Sequence, residues 1–131
     1  NSSAASDVYK RQILNMPQMT FKEQCDGWHL TTKELLKFSS TDLPEEKLIG
    51  ASTHNLMEVK HAEKISMDYV SLSPINRTLS HSDTQALGWS KASEIISQSE
   101  VPIYLLGGMD RSSMNQALSI GAQGIAGIRG I

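Results

Sequence analysis

The chain has 131 residues, of which 39% are hydrophobic and 20% charged, and its formal net charge is −2 at neutral pH. Acidic and basic residues are mixed along the sequence, which argues against a surface for nucleic acid or for anionic membranes. No apolar run approaches the ~20 residues of a membrane span, and Cys25 is the single cysteine, so an internal disulfide is excluded. These properties predict a soluble, cytoplasmic protein.

The first twelve residues differ from the rest of the chain. Residues 2–12, SSAASDVYKRQ, show neither a hydrophobic period nor helix caps. They resemble the translation of a sequencing-library adapter, and segments of that origin are set aside in fold reasoning. A natural polar arm is the alternative. We therefore expect a non-native segment over residues 1–12 and a domain over residues 13–131, with the gene continuing upstream.

Short apolar runs recur along the domain, and three of the four intervals between them are equal. The runs are centred near Trp28, Ile49, Val70, Tyr104 and Ile125, and the spacings between these positions are 21, 21, 34 and 21 residues. Each run is bounded by polar or glycine-containing segments and has the length of a buried strand. The pattern predicts a series of strands separated by longer connections.

The connections between these runs carry helix signals. Thr31-x-x-Glu34 and Asn55-x-x-Glu58 have the form of a capping residue followed by a reciprocating acid. Gly121 is placed to end the last helix. The predicted apolar faces are Leu56, Val59, Ala62 and Ile65, then Trp89, Ala92 and Ile96, and finally Met114, Ala117 and Leu118. Strands alternating with capped helices predict repeated βα units and a parallel sheet.

Two architectures fit this alternation, a doubly wound open sheet and a barrel. No glycine-rich dinucleotide motif follows the first strand, which counts against the first. The glycines instead follow the last two strands, at Gly107-Gly108 and Gly127, where barrels bind phosphate. A turn that merely ends a strand would use the same residues. Because a whole barrel needs at least ~200 residues, we expect an α/β fold that is a partial (β/α)8 TIM barrel.

Several segments resemble motifs of the thiamine phosphate synthase/TenI family in the same order along the chain. The matches are Asp26–Leu30 with "aDGvHl", Gly50–His54 with "GvSvH", Asp68–Ile75 with "aDYvglGPi", Thr78–His81 with "TxTK", Leu106–Met109 with "iGGi" and Gly121–Ala126 with "GAdGvAv". The ending GIAGIRGI resembles the barrel domain fused behind a Nudix hydrolase in some bacterial proteins. The resemblance implies that the chain contains roughly strands three to eight.

The resemblance also implies a reaction on small phosphorylated substrates. Thiamine phosphate synthase couples hydroxymethylpyrimidine diphosphate to a thiazole phosphate and releases pyrophosphate. The diphosphate leaves first, and the thiazole nitrogen captures the pyrimidine-methyl cation. The protein mainly has to neutralise the leaving group, with Mg²⁺ and hydrogen-bond donors, and to orient the second substrate.

Family roles transfer to this sequence position by position. Ser52 and His81 stand at the catalytic positions that contact the diphosphate, His81 replacing the family lysine. The resemblance places Glu34 at a metal-binding carboxylate, and a helix-capping role is the alternative for this residue. The positions implied to bind substrate are Asn15, Thr78, Ser80, Gly107, Gly108, Ile128 and Arg129.

The sequence departs from the family at two of these positions. Met16 occupies the position of one Mg²⁺ carboxylate, so Glu34 is the carboxylate left to hold that cofactor. Histidine at position 81 is shorter than lysine and only partly charged near neutral pH. These losses leave two alternatives open. One is a TenI-like tautomerase with His81 or His29 as acid–base groups, and the other is a non-catalytic phosphate-binding domain of a Nudix fusion.

Overall fold

The computed structural model describes residues 13–15, 27–39, 41, 43, 46–76 and 85–126. These residues form strands that alternate with helices along the chain. The strands are β1 (Ile13–Asn15), β2 (Gly27–Leu30), β3 (Leu48–Thr53), β4 (Tyr69–Leu72), β5 (Ile103–Leu106) and β6 (Gly124–Ala126). The helices are α1 (Thr32–Lys37), α2 (Leu56–Lys64), α3 (Gly88–Ser97) and α4 (Met114–Ser119), with a 3-10 turn at Arg111–Ser113.

The described strands form one sheet in which every neighbouring pair is parallel. Their order across the sheet is β1-β2-β3-β4-β5-β6, the same as their order in the chain. A doubly wound sheet would reverse its strand order at a switch point, whereas a (β/α)8 barrel keeps chain order throughout. The expected fold class, a partial (β/α)8 barrel, is confirmed, and the six described strands are as many as strands three to eight require.

Helix boundaries follow the signals in the sequence. The Thr31 hydroxyl accepts a hydrogen bond from the Glu34 amide at 3.2 Å, and the Glu34 carboxylate accepts one from the Thr31 amide at 2.9 Å, so the expected capping box is complete. Asn55 caps α2 by accepting from the Glu58 amide at 2.9 Å. Gly121, with a φ of 94°, follows the end of α4, and its amide donates to the Leu118 carbonyl at 3.0 Å.

The hydrophobic core lies between one face of the sheet and the helices. Leu30, Ala51, Val70 and Leu105 are completely buried on four adjacent strands, and helix residues such as Val59 belong to the same cluster. Since side chains alternate along a strand, the intervening residues His29, Ser52, Tyr69, Ser71 and Tyr104 lie on the opposite face, which is the inner face of a barrel. The sheet therefore separates an apolar layer from a polar and aromatic one.

One predicted apolar face was wrong. Met114 and Leu118 are 37% and 51% exposed, and within α4 only Ala117 is buried. The helix has six residues, fewer than two turns, so it offers the core a single small side chain. Ala122, which follows the helix, supplies the next buried contact. No helix in the described part of the chain has both the length and the apolar character needed to cross a bilayer.

Candidate functional site

Several residues predicted from the sequence meet at one edge of the sheet. Ser52 lies in the last two residues of β3, Glu34 lies in the first turn after β2, and Gly107 and Gly108 directly follow β5. Because the described strands are all parallel, their carboxyl ends share this edge, where (β/α)8 enzymes place their active sites. The parallel orientation of the strands therefore brings these positions to the same side of the sheet.

The imidazole of His29 joins two other strands on the inner face. Its Nε2 lies 2.8 Å from Ser52 Oγ on β3, and its Nδ1 lies 2.9 Å from the Tyr69 hydroxyl on β4. Tyr69 reaches across β3 because Gly50 lies between it and His29 in the strand register. The His29 and Tyr69 rings also stack, with centroids 5.7 Å apart. Ser52, His29 and Tyr69 thus form one continuous hydrogen-bonded network.

The electrostatics of this network favour neutral groups. Burial lowers the pKa of His29, and the nearby Glu34 carboxylate opposes that shift. Burial also raises the pKa of Tyr69, with further contributions from Tyr104 and Asp68. At neutral pH the imidazole therefore carries one proton and the phenol keeps its own. A neutral imidazole donates from one nitrogen and accepts at the other.

Glu34 is the described residue expected to bind metal, and its carboxylate already has partners. It is 7% exposed, and its Oε1 accepts from both the amide and the hydroxyl of Thr31, at 2.9 and 3.1 Å. Within the described ranges, no group of three histidine, cysteine, aspartate or glutamate side chains lies close enough to hold an ion. Mg²⁺ is commonly bound by one or two carboxylates together with substrate phosphates. Glu34 is one carboxylate of that kind, and its Oε1 is held by Thr31.

The backbone of Ser52 is fixed by the first residue of α1, Thr32. Thr32 Oγ1 donates to the Ser52 carbonyl at 2.7 Å and lies 3.0 Å from His54 Nδ1. His54 in turn lies 3.2 Å from the Glu58 carboxylate, which also accepts from the His54 amide at 2.7 Å. These contacts tie the ends of β2 and β3 to the first turns of α1 and α2. Ser52 is therefore restrained through its backbone as well as its side chain.

The Gly107-Gly108 loop is shaped by the connection that follows β4. Both glycines have positive φ, 109° and 67°, which side chains rarely adopt. A Cβ atom at Gly107 would lie 2.8 Å from the Cα of Pro74. Asn76 binds both carbonyl groups, donating its amide to Gly107 at 3.0 Å and its side chain to Gly108 at 3.3 Å. The loop conformation therefore favours glycine at both positions.

The remaining predicted positions lie wholly or partly outside the described residues. For Asn15 the structure gives the backbone alone, paired with His29 in the register of β1 and β2. The other positions lie outside the described residues, and their roles stay predictions: Met16, Thr78, Ser80, His81, Ile128 and Arg129. The described site accordingly consists of the Ser52 network, the Glu34 cap and the Gly107-Gly108 loop.

The sequence did not predict Tyr69 as a site residue, and it indicated His29 only as an acid–base group of the tautomerase alternative. The strand signal around Asp68–Leu72 nevertheless contained the information, because alternation places Tyr69 on the face opposite the buried Val70. The glycine at position 50 is the second signal. An added Cβ there would lie 2.0 Å from the Tyr69 ring, so the glycine marks the place where the ring crosses β3.

Comparison with known proteins gives a consistent family assignment. The sequence profile described as thiamine monophosphate synthase matches residues 13–131. The thiamine-phosphate synthase of Anoxybacillus flavithermus is 36% identical over 110 residues, which are 82% of this chain and 51% of that protein. The thiamine-phosphate synthase of Chlorobium phaeobacteroides is 32% identical over 108 residues, 81% of this chain and 52% of that protein. The chain thus spans about half the length of these relatives.

Two solved structures support the fold. The thiamine phosphate pyrophosphorylase from Pyrococcus furiosus superimposes with a TM-score of 0.64 at 23% identity, covering 79% of this chain and 49% of that one. The N-acetylmannosamine-6-phosphate 2-epimerase from Clostridium perfringens gives a TM-score of 0.56 at 21% identity, over 81% of this chain and 51% of that one. At these identities the likeness concerns the fold alone.

Proposed function

Because the chain belongs to the thiamine monophosphate synthase family, we propose that it forms part of a thiamine-phosphate synthase. The protein would couple hydroxymethylpyrimidine diphosphate to thiazole phosphate and release pyrophosphate. The observation that supports this most is the family match over residues 13–131, with Ser52 and Gly107-Gly108 at the same edge of the sheet. We also propose that residues 13–131 form the barrel domain and that the protein acts in the cytoplasm.

The described residues have two roles in this proposal. Ser52 donates its hydroxyl hydrogen to an oxygen of the leaving diphosphate, which gains negative charge as the bond to the pyrimidine-methyl group breaks. Gly107 and Gly108 bind the thiazole phosphate through their backbone amides. Position 107 has to be glycine because a side chain there would collide with Pro74. Both interactions bind and orient phosphate groups, and neither requires a covalent intermediate.

Further roles are proposed at positions outside the described residues. We assign the hydroxyls of Thr78 and Ser80 and the imidazole of His81 to the diphosphate region. Ile128 and Arg129 complete the phosphate cradle, where Arg129 supplies a charge-assisted hydrogen bond. We also assign Asn15, at the end of β1, to substrate binding.

Mg²⁺ is proposed as the cofactor, held by Glu34 together with substrate phosphates. Bound there, it would neutralise the charge of the departing diphosphate. Thr31 fixes Glu34 Oε1, so the carboxylate is oriented before any ion arrives. Met16 has no carboxylate to bind the ion. We therefore expect the site to bind Mg²⁺ more weakly than a site with two carboxylates does.

The relatives carry the synthase name, which favours the synthase over the tautomerase and over a Nudix-fused binding domain. The test is an assay of the full-length protein with both substrates and Mg²⁺. Thiamine phosphate and pyrophosphate should form in equal amounts, and a Ser52→Ala variant should be slower, whereas a change at Met57, which is 67% exposed, should not matter. Isomerisation of the thiazole substrate without coupling would instead identify a tautomerase.

A further inference from the structure

The Ser52 hydroxyl can act as a donor to a ligand only if its hydrogen is not already used within the protein. Its oxygen lies 2.8 Å from His29 Nε2, so one of these two groups donates to the other. If Ser52 donates, its hydrogen is unavailable to a substrate. If Nε2–H donates, the serine oxygen accepts and its own hydrogen stays available. The protonation of His29 therefore decides what Ser52 can bind.

Tyr69 controls which of these two arrangements forms. A neutral imidazole with Nδ1–H would donate to the Tyr69 oxygen and accept from Ser52 at Nε2. With Nε2–H, the phenol donates to Nδ1 and the imidazole donates to Ser52. The phenol is a far more acidic donor than an aliphatic hydroxyl, whose pKa lies well above the ~10 of tyrosine. The stronger donor therefore goes to the imidazole lone pair, and the relay runs from Tyr69 through His29 to Ser52.

The surrounding structure holds the relay in one geometry. Gly50 provides the space in which the Tyr69 ring crosses β3, and Tyr104 packs against that ring edge-on with centroids 5.9 Å apart. Thr32 fixes the Ser52 carbonyl at 2.7 Å. With the backbone and the oxygen lone pair of Ser52 both engaged, the hydroxyl hydrogen is directed away from His29. Pre-organised donors of this kind stabilise anions because they need no reorientation on binding.

We propose that Tyr69 and His29 are positioning residues that commit the Ser52 hydroxyl to donate a hydrogen bond to an oxygen of a diphosphate-bearing substrate. This inference rests on the proposed function for the role of Ser52. His29 touches Ser52 and Tyr69 and acts on the substrate through Ser52. No proton is transferred to the substrate.

The first test is nuclear magnetic resonance of the His29 side chain in the purified protein. The relay requires the Nε2–H tautomer, with Nδ1 showing the nitrogen-15 shift of a hydrogen-bonded acceptor. The Tyr69→Phe variant removes one hydroxyl and should abolish that acceptor shift. An Nδ1–H tautomer in the unaltered protein would overturn the inference, whatever the outcome of the activity assay.

The second test measures binding of inorganic pyrophosphate, at a fixed Mg²⁺ concentration, by titration calorimetry. Ser52→Ala should weaken binding about 10-fold or more, since hydrogen bonds to charged groups contribute ~1.5–3 kcal/mol. Tyr69→Phe and His29→Leu should each weaken it several-fold, and neither should have a further effect when combined with Ser52→Ala. His29→Gln, which keeps an amide donor, should recover part of the loss.

The matched control is His61→Leu, which removes a half-buried imidazole bonded to the Leu35 carbonyl at 3.0 Å on the outer side of the sheet. It should reduce stability and leave pyrophosphate affinity unchanged. If the His29 and Ser52 effects simply add while pyrophosphate still binds, the inference fails and the proposed function stands. If the unaltered protein binds no pyrophosphate and forms no thiamine phosphate, the proposed function fails, and the role of the relay in binding diphosphate fails with it.

Discussion

The phenol ring of Tyr69 lies against the backbone of Gly50, so closely that a Cβ atom there would be 2.0 Å from the ring carbon Cζ. We expect Gly50→Ala to displace the ring and to break its hydrogen bond with His29. Overpacking of this kind typically costs ~1–3 kcal/mol in the free energy of unfolding. Denaturant titration measures that loss, and the same variant should lose pyrophosphate affinity.

Gly124→Ala is the control for this prediction. Its added Cβ would lie 3.2 Å from the Tyr104 ring, a contact that a small ring movement relieves. It should therefore cost less than Gly50→Ala. In a Tyr69→Ala background the Gly50→Ala change should become almost neutral, since the colliding ring is gone. An undiminished cost in that background would show that the strain arises elsewhere.

The fold could be predicted from the sequence because its signals are local. Apolar runs at a regular period mark the strands, and the Thr31-x-x-Glu34 box marks a helix start, so the βα alternation is readable without tertiary contacts. The strands Tyr69–Leu72 and Ile103–Leu106 contain the predicted centres Val70 and Tyr104. The apolar face of α4 was predicted wrongly because the helix has only six residues, of which Ala117 alone is buried.

Only part of the candidate site could be predicted from the sequence, because some of its contacts join distant strands. Ser52 and Gly107-Gly108 could be predicted because each belongs to a contiguous motif. The link from His29 to Tyr69 joins residues 40 positions apart and exists only because Gly50 is small and lies between them in the register. Pairwise contacts across a sheet depend on strand order and register, neither of which a single strand motif contains.

The buried imidazole of His29 predicts a specific pH dependence of stability. Burial lowers the pKa of His29 in the folded protein below the ~6.5 of an unfolded chain. Between those two values the unfolded state binds more protons, so the free energy of unfolding decreases as the pH falls through that range. Above about pH 6.5 the imidazole is neutral in both states, so its titration no longer lowers the free energy of unfolding. Glu34 opposes the shift and therefore moderates the effect.

Urea unfolding of the unaltered protein and of His29→Gln, followed from pH 7.5 to 5.5, measures this contribution. The difference in free energy between the two proteins should shrink towards the acidic end, because the glutamine does not titrate. Subtraction removes the titration of the carboxylates, which both proteins share. A difference that stays constant or grows on acidification would contradict the lowered pKa.

Thr31 and Glu34 should separate a structural role from a metal-binding one. Thr31→Ala removes the hydroxyl that caps α1 and should cost ~0.5–2 kcal/mol in stability. It keeps the carboxylate, so the Mg²⁺ concentration for half-maximal activity should stay nearly unchanged. Glu34→Gln keeps an oxygen to accept from the Thr31 amide and should be destabilised less, yet it should require more Mg²⁺. Equal Mg²⁺ requirements in both variants would show that Glu34 serves only as a cap.

Gly107 and Gly88 form a matched pair for testing the phosphate cradle. Both have positive φ, 109° and 81°, so alanine is strained at either position, at a cost of order 1 kcal/mol. At Gly88 the new Cβ meets nothing within 4 Å, whereas at Gly107 it lies 2.8 Å from Pro74 Cα and 2.9 Å from the Ile75 amide nitrogen. Gly107→Ala should therefore be the less stable variant, because the loop must move away from the end of β4.

The movement of this loop also displaces the backbone amides from the proposed phosphate position, so affinity for inorganic phosphate should fall in Gly107→Ala and persist in Gly88→Ala. The two variants differ in the collision of the new Cβ atom, which occurs only at position 107. Equal phosphate affinity in both would therefore show that phosphate does not bind at the Gly107-Gly108 loop.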